Sequence, residues 1–314
     1  MSQPSALPTE VTQIDGDVRS TKLDLLSVEE PMEIRLGYGP EDGREQKSLA
    51  ITMRTPGHDF ELALGFLFTE GIIEGMEQIQ NIVYCTDDET GELTDNVVRV
   101  ELSPTLKIEW SQFERNFYTN SSCGICGKAS IESLESFCPT KVSSNIKVND
   151  AIIHGLSDKM RVKQNVFEHT GGLHGSAVFD QNGELLMMRE DIGRHNAVDK
   201  IVGASLFQKM LPLESHILML SGRCSFELMQ KAILARIPII VAIGASSSLA
   251  VNTAQEYGVT LLGFTRNNSF NIYSHPERIG WLNGDDLTIV FIVQYRFWER
   301  FNNAIPHGIN HTLF

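Results

Sequence analysis

The 314-residue chain has little positive charge, few cysteines and no long apolar run. Its 26 lysines and arginines are outnumbered by 40 aspartates and glutamates, which gives a formal net charge of -14. A uniformly acidic protein binds nucleic acid and anionic membranes poorly. The chain also lacks an apolar stretch of the ~20 residues that span a bilayer. Nucleic acid and membranes are therefore not expected as partners, and an anionic ligand requires a local basic site.

Two further absences indicate the cellular compartment of the protein. Residues 1–17 are polar, with prolines at positions 4 and 8, and they lack the basic and apolar segments of a signal peptide. They are predicted to be a disordered lead-in. The five cysteines are an odd number in a large chain, which argues against a disulfide framework. These observations favour the reducing cytoplasm.

What the chain does contain is a pair of thiols at CxxC spacing, Cys123 and Cys126, flanked by small polar residues and glycines. Apolar residues at 131, 134 and 137 predict a short helix just after the pair. A mobile loop that leads into a helix N-terminus favours the thiolate form, and Lys128 adds a positive charge. The pair is the first candidate for chemistry.

The spacing alone leaves several interpretations of the thiol pair. Tetrahedral zinc requires four ligands, and no second CxxC or HxxxH completes the set. A dithiol of the thioredoxin type follows a strand directly, whereas a polar loop precedes this pair. A persulfide carrier requires a reactive thiol on an exposed loop, which fits. A structural or incidental CxxC stays open.

The rest of the chain predicts an α/β protein with a smaller N-terminal part. Residues 18–150 show the alternation of strands and form a β-rich subdomain that includes the CxxC loop. From residue 156 the order is α-β-β-α-β-α-β-α-β, with continuous apolar strands. Residues 151–280 are therefore predicted to form a mixed, mostly parallel sheet with one hairpin and helices on both faces. Residues 281–314 form a C-terminal extension.

Ligands of open parallel sheets bind beyond the carboxyl ends of the strands, where three turns of this chain are expected. Two begin helices and offer backbone N–H groups, hydroxyls and a guanidinium to an anion. The third offers an aromatic ring, a guanidinium and amide groups, which suit a heterocycle with a phosphate. Ordinary tight turns and an exposed loop are the alternatives. The candidates are Gly222, Arg223, Gly244, Ser246, Phe264, Thr265, Arg266, Asn267, Asn268 and Ser269.

The densest polar cluster, residues 190–196, lies at a predicted strand-to-helix junction. It includes Asp191, Arg194 and His195, which suit either acid–base chemistry or helix capping and local pairing. His174 lies between glycines and has no evident structural duty, although a single histidine is more often structural. The residues alone leave these roles undecided.

Six ordered segments together resemble the FdhD family of formate dehydrogenase accessory sulfurtransferases. The resemblance extends from about Val28 to Ile279 and leaves the extension unmatched. The segments are Cys123-Gly-Ile-Cys126-Gly, Thr170-Gly-Gly-Leu-His-Gly-Ser-Ala177, Glu190-Asp-Ile-Gly-Arg-His-Asn-Ala-Val-Asp-Lys200, Leu220-Ser-Gly-Arg223, Gly244-Ala-Ser-Ser-Ser248 and Gly263-Phe264.

The resemblance implies a cytoplasmic homodimer with a cytidine-deaminase-like core. It implies sulfur transfer from a cysteine desulfurase to the molybdenum cofactor Mo-bis-molybdopterin guanine dinucleotide, before insertion into formate dehydrogenase. By the same resemblance Cys123 is the persulfide-carrying cysteine, Cys126 is its partner, and residues 264–269 bind the cofactor. No metal bound directly by the protein is implied.

Two rival functions are weighed against this one. The first is a non-catalytic chaperone that binds and delivers the molybdenum cofactor. The second is a zinc hydrolase of the deaminase type, whose H-x-E and P-C-x-x-C signature is not matched by the spacing of His58 and Glu61.

Overall fold

The computed structural model describes residues 4–86, 93–108, 110, 140–266 and 268–280. The described helices are α1 (Asp59–Thr69), α2 (Asp150–Arg161), α3 (Asn165–Thr170), α4 (Arg194–Phe207), α5 (Phe226–Leu234) and α6 (Ser248–Tyr257). The described strands are β1 (Ala6–Asp15), β2 (Val18–Ser27), β3 (Glu30–Tyr38), β4 (Glu45–Arg54), β5 (Ile79–Thr86), β6 (Leu93–Leu102), β7 (Val148–Asn149), β8 (His174–Asp180), β9 (Leu185–Asp191), β10 (His216–Leu220), β11 (Ile239–Ala242), β12 (Thr260–Arg266), β13 (Ser269–Ser274) and β14 (Ile279–Gly280).

The N-terminus forms a hairpin, which corrects the prediction of a disordered lead-in over residues 1–17. Strands β1 and β2 pair antiparallel along their full length. A two-residue turn joins them, and Gly16 supplies the left-handed backbone (φ 59°) that such a turn favours. The turn and the cross-strand pairs outweigh the polar composition from which disorder was predicted. Leu23 is 74% exposed and Ile14 65% exposed, so the hairpin extends from the body of the protein.

The N-terminal sheet has the strand order β4-β3-β6-β5, with β3 and β6 parallel and the other neighbours antiparallel. Alternation along β3 turns Met32, Ile34 and Leu36 to one face, where all three are fully buried. They pack with α1 and with apolar residues of β6 in one core cluster. This part of the chain is β-rich, as predicted.

The C-terminal sheet has the order β13-β12-β11-β10-β8-β9. Its β10–β11 and β11–β12 pairs are parallel, whereas β8–β9, β8–β10 and β12–β13 are antiparallel. The sheet is therefore mixed, but the prediction of a mostly parallel sheet was wrong. The second hairpin, β12–β13, was not predicted. In addition β8 lies between β9 and β10 and opposes both, an arrangement that sequence order does not reveal.

Helices cover both faces of this sheet, which confirms that part of the prediction. Helices α4, α5 and α6 pack on one face through a core that includes Val202, Met229 and Ala254. Helix α2 packs on the other face through Ile153 and Leu156. None of the described helices combines the length and the apolar character that crossing a bilayer requires. The cytidine-deaminase-like character of the core stays a prediction.

A close seam joins the two sheets. The backbones of helices α1 and α4 are in contact where the helices cross. A Cβ on Gly203 would therefore lie 1.8 Å from the carbonyl oxygen of Glu61. Beside them Lys200 is buried; its Nζ lies 2.7 Å from an Asp191 carboxylate oxygen and donates to the Thr55 carbonyl oxygen at 2.9 Å. Residues 1–280 accordingly form one compact unit. The predicted extension, 281–314, lies outside the described residues.

Candidate functional site

One edge of the C-terminal sheet gathers the predicted ligand-binding turns. Strands β10, β11 and β12 run parallel, so the segments that follow them meet at this edge. The backbone of Gly244 donates to the Gly222 carbonyl oxygen at 3.0 Å, and Phe264 donates to the Gly244 carbonyl oxygen at 3.0 Å. Cys224 donates to the Ala245 carbonyl oxygen at 3.0 Å. The three turns thus form one continuous backbone surface, which we call the strand-end edge.

The close approach of these turns requires glycine. A Cβ on Gly244 would lie 2.9 Å from the Gly222 carbonyl oxygen and 3.0 Å from the Arg223 nitrogen. A Cβ on Gly263 would lie 3.3 Å from the Ser246 hydroxyl oxygen. That hydroxyl is buried and has no hydrogen-bond partner within the described residues. The edge is therefore tightly packed and contains a polar atom that no other described residue satisfies.

The end of β12 carries the third predicted turn in a strained conformation. Phe264 has a left-handed backbone (φ 54°) yet remains 41% exposed, and the pairing with β13 is irregular at this point. The next residue, Thr265, is 2% exposed, and its hydroxyl lacks a partner in the described part of the chain. Arg266, Asn268 and Ser269 are exposed. Asn267 lies outside the described residues.

Positive charge at the strand-end edge is available to a ligand. Arg223 and Arg266 are exposed and Arg194 is half-buried. None of these three guanidinium groups is paired with a carboxylate among the described residues, although the protein as a whole is strongly acidic. Helix α6 begins here, with its first turn capped by Ser247. Unpaired guanidinium groups beside a helix N-terminus suit phosphate.

His174 lies at the same edge, because β8 runs antiparallel to β10 and starts where β10 ends. Its imidazole packs against Gly222, where a Cβ would lie 3.2 Å from Nδ1. Burial lowers the pKa of His174, and the nearby positive charges of Arg194 and His195 lower it further. A neutral imidazole can donate one hydrogen bond and accept another.

The polar cluster at 190–196 divides into two roles. The Asp191 carboxylate accepts from Gly193 N at 2.8 Å and from the Asn196 amide at 3.0 Å, and it pairs with Lys200. These contacts are structural. The His195 ring lies 3.4 Å from the Ser225 hydroxyl and 3.8 Å from the Glu227 carboxylate, and the interaction with His195 lowers the pKa of that carboxyl to about 2. Only the Arg194–His195 part of the cluster belongs to the edge.

The strand-end edge also contains a cavity of about 650 Å³, which the sequence did not predict. It opens on the face of the sheet that α2 covers. Its walls come from α2, α3, the glycine turn before β8 and the three strand ends. The lining residues are Ser157, Asp158, Arg161, Gln164, Phe167, Gly171, Gly172, Leu173, His174, Ser221, Ile243, Thr265 and Arg266. The available signal was the glycine-rich turn at 171–175; nothing in the pattern linked it to α2.

The predicted catalytic thiols, Cys123 and Cys126, lie outside the described residues. Cys85 and Cys224 are free and buried. Burial raises the pKa of the Cys224 thiol to about 12, so this thiol is chemically inert near neutral pH. Across the described ranges, His, Cys, Asp and Glu side chains form no group of three or more suited to a metal ion.

With this geometry in view, comparison with known proteins identifies the family. The family model described as FdhD/NarQ matches residues 28–280. The chain belongs to the FdhD/NarQ family. The match begins after the β1–β2 hairpin and spans both sheets and the strand-end edge.

Relatives within the FdhD/NarQ family cover most of the chain. A sulfur carrier protein FdhD from Streptomyces coelicolor is 48% identical over 84% of this chain and 92% of its own length. One from Mycolicibacterium paratuberculosis is 46% identical over 86% of this chain and 97% of its own length, and one from Sulfolobus acidocaldarius is 42% identical over 86% of this chain and 96% of its own length.

A solved structure shares the fold. It is a protein from Desulfotalea psychrophila described as a formate dehydrogenase accessory protein, with a TM-score of 0.66 at 23% identity. The likeness covers 88% of this chain and all of the other.

Proposed function

We propose that this protein is a sulfurtransferase that relays sulfur from a cysteine desulfurase to Mo-bis-molybdopterin guanine dinucleotide, for use by formate dehydrogenase. The proposal rests on one observation beyond the family: on a protein of net charge -14, the strand-end edge has arginines and buried hydroxyls that find no partner among the described residues. Such an edge suits a ligand that combines phosphates with heterocycles. We propose that the protein acts in the cytoplasm as a homodimer.

In the proposed reaction the cofactor is the substrate, and the thiols carry the sulfur. The Cys123 thiolate attacks the outer sulfur of the desulfurase persulfide. That S–S bond breaks, and the desulfurase cysteine leaves as a thiolate. Cys126 then attacks the inner sulfur of the Cys123 persulfide, which releases the outer sulfur as sulfide to the cofactor. The resulting Cys123–Cys126 disulfide is reset by a thiol reductant.

The described residues hold the substrate in this proposal. Gly222 and Gly244 let the turns approach each other, and the Ser246 hydroxyl and the Arg223 guanidinium receive a phosphate between them. Phe264 offers an exposed ring for stacking, and its backbone strain fits a functional position. The remaining proposed contacts are Thr265, Arg266, Asn268 and Ser269, together with Asn267, which lies outside the described residues.

The thiol chemistry is tested by intact mass after incubation with a cysteine desulfurase and cysteine. We expect a gain of about one sulfur atom, which maps to Cys123 or Cys126 and is reversed by dithiothreitol. Cys123→Ala is expected to abolish the gain, whereas the neighbouring control Ser122→Ala retains it. Sulfur on Cys224 instead, or no gain in the unmodified chain, would count against the relay.

The strand-end edge also suits the second candidate, a chaperone that binds the molybdenum cofactor without chemistry. A single variant distinguishes the two functions. Under the relay, Cys123→Ala still binds cofactor but no longer supports active formate dehydrogenase. Under the chaperone function, both properties survive. Metal analysis of the purified protein addresses the zinc hydrolase, because stoichiometric zinc would contradict the relay.

A further inference from the structure

The β1–β2 hairpin has no part in the proposed sulfur transfer. The family match begins at residue 28, directly after β2. The hairpin rests on the body of the protein at its base, where a Cβ on Gly172 would collide with the Ser27 hydroxyl oxygen, whereas residues 18–26 are all exposed. Isolated two-stranded hairpins are at best marginally stable in water, and three or more strands form a more stable sheet. The hairpin therefore gains stability from a strand that adds to it.

The register of the hairpin determines which of its backbone groups face outward. The Val28 N–H donates to the Ser5 carbonyl oxygen at 3.0 Å, so these two residues form a hydrogen-bonded pair. Hydrogen-bonded and non-hydrogen-bonded pairs alternate along an antiparallel ladder. By the register of β1 and β2, the backbone N–H and C=O groups of residues 19, 21, 23 and 25 therefore point away from β1. Within the described residues β1 is the one strand that pairs with β2, so the outer edge of β2 is open.

The two edges of the hairpin differ in what they offer to a further strand. On β1 the residue opposite Leu25 is Pro8, whose ring removes an outward N–H and hinders the addition of a strand. On β2 the Leu25 N–H donates to the Asp24 side chain at 3.0 Å, a local acceptor that a neighbouring strand can replace. Leu23 is 74% exposed and projects to the same face as Leu25. The edge of β2 therefore offers main-chain hydrogen bonds and apolar side chains to a partner strand.

The charges on β2 make the strand complementary to a second copy of itself. Two identical antiparallel strands meet about a two-fold axis, and their outward-facing residues must lie opposite each other. An axis through Lys22 places two ammonium groups opposite each other, and an axis through Asp24 does the same with two carboxylates, which is destabilising. An axis through Thr21 leaves both charges opposite uncharged residues. An axis through Leu23 places Lys22 of each copy opposite Asp24 of the other, so this register satisfies both charges.

We propose that β2 pairs antiparallel with β2 of a second copy of this chain, about a two-fold axis through Leu23. The two hairpins then form one four-stranded sheet of order β1-β2-β2-β1. The two Leu23 side chains pack together at the axis, with Leu25 of each copy beside them, and two Lys22–Asp24 pairs lie on the opposite face. This contact surface deepens the homodimer of the proposed function, and it requires no step of the sulfur chemistry.

Proline variants test the edge, with self-association of the full chain measured by analytical ultracentrifugation over a concentration series. Leu23→Pro removes an outward N–H and keeps the hydrogen bonds to β1, so it is expected to weaken self-association at least about tenfold. Glu10→Pro is the matched control, because Glu10 lies opposite Leu23 and faces outward on the other edge. A monomeric unmodified chain, or equal self-association of the two variants, would overturn the proposal.

Charge exchange tests the register by the same measurement. Lys22→Asp and Asp24→Lys each place like charges opposite each other, so each alone is expected to weaken self-association about tenfold. An equimolar mixture of the two variants restores opposite charges in both pairs and is expected to recover the association, which also shows that both variants fold. Glu10→Lys changes the net charge as much as Asp24→Lys and is the control. An effect of only one variant, or no recovery in the mixture, would contradict an axis through Leu23.

The outcome is separable from that of the proposed function. Sulfur loading of Cys123 does not require the hairpin contact, so Leu23→Pro is expected to gain sulfur as the unmodified chain does. A dimer that persists in Leu23→Pro would refute the β2 contact and leave the proposed homodimer standing. Association through β2 in a chain that gains no sulfur would count against the relay alone.

Discussion

At the scale of single residues, burial marks Cys85 and Cys224 as thiols that serve packing. Cys224 directly follows Arg223 at the strand-end edge, so its position in the sequence resembles that of a reactive thiol. Its side chain nevertheless faces the core beneath α5, where it is fully buried. The pattern of residues around it could not reveal this, because burial depends on helices packed from elsewhere in the chain.

Native-state alkylation tests this distinction. With iodoacetamide near pH 8, Cys224 and Cys85 are expected to stay unlabelled, because burial excludes the reagent and keeps the pKa of Cys224 near 12. Both are expected to react after unfolding in guanidinium chloride, which is the internal control. Mass mapping gives the result. Labelling of Cys224 in the folded protein at the rate of an exposed thiol would show that the edge opens.

The candidate site was partly predictable at this scale. Gly222, Gly244 and Phe264 were identified because each follows an apolar strand, and the structure brings them together. Gln164 was missed because its sequence context is an ordinary helix end. Its buried amide nitrogen has no hydrogen-bond partner among the described residues, and this depends on how distant segments pack around it, which no local pattern encodes.

At the scale of elements, strands and helices were predictable, and their pairings were less so. The alternation over β3 and the apolar runs of β10 and β11 specify strands through side-chain period alone. The sequence does not reveal that β8 lies between β9 and β10, because the strand order depends on the path of α4 across the sheet. The insertion matters for function, since it delivers His174 and the glycine turn before β8 to the strand-end edge.

The crossing of α1 and α4 gives a prediction for this scale. Gly203→Ala is expected to lower the free energy of unfolding by about 3 kcal/mol or more, because the new methyl group would meet the Glu61 carbonyl oxygen. Gly155→Ala, within α2 with open space around it, is the control and is expected to raise stability by about 0.5–1 kcal/mol. Urea titration measures both. Equal effects would refute the backbone contact.

At the scale of the whole molecule, acid sensitivity follows from ion pairs that join distant parts. Burial tends to raise the pKa of Glu61, but hydrogen bonds from Arg189 and His58 prevail and lower it to about 2. The Arg189–Glu61 contact, 2.7 Å between Nη2 and Oε1, connects β9 with α1. The N-terminal helix and the C-terminal sheet are therefore coupled through a group that titrates.

The sign of the pH dependence follows from this lowered pKa. The folded value lies below the ordinary 4.5, so the stabilisation is complete above about pH 4.5 and is lost as pH falls towards 2. Its size is on the order of 3 kcal/mol. Glu61→Gln is expected to be less stable than the unmodified chain at pH 7 and to converge with it near pH 2. The exposed Glu10→Gln is the control, and a pH-independent gap for Glu61→Gln would contradict the assignment.

At Phe264, a backbone conformation that lowers stability coincides with a ring that is proposed to contact the ligand. Its left-handed backbone costs free energy that a glycine would not lose, and its side chain remains 41% exposed. A chain optimised only for resistance to unfolding would have no reason to keep an aromatic residue there. The fold therefore tolerates a standing thermodynamic penalty at the strand-end edge, and engineering this protein for heat resistance by relieving that strain would come at the expense of the surface proposed to contact the ligand.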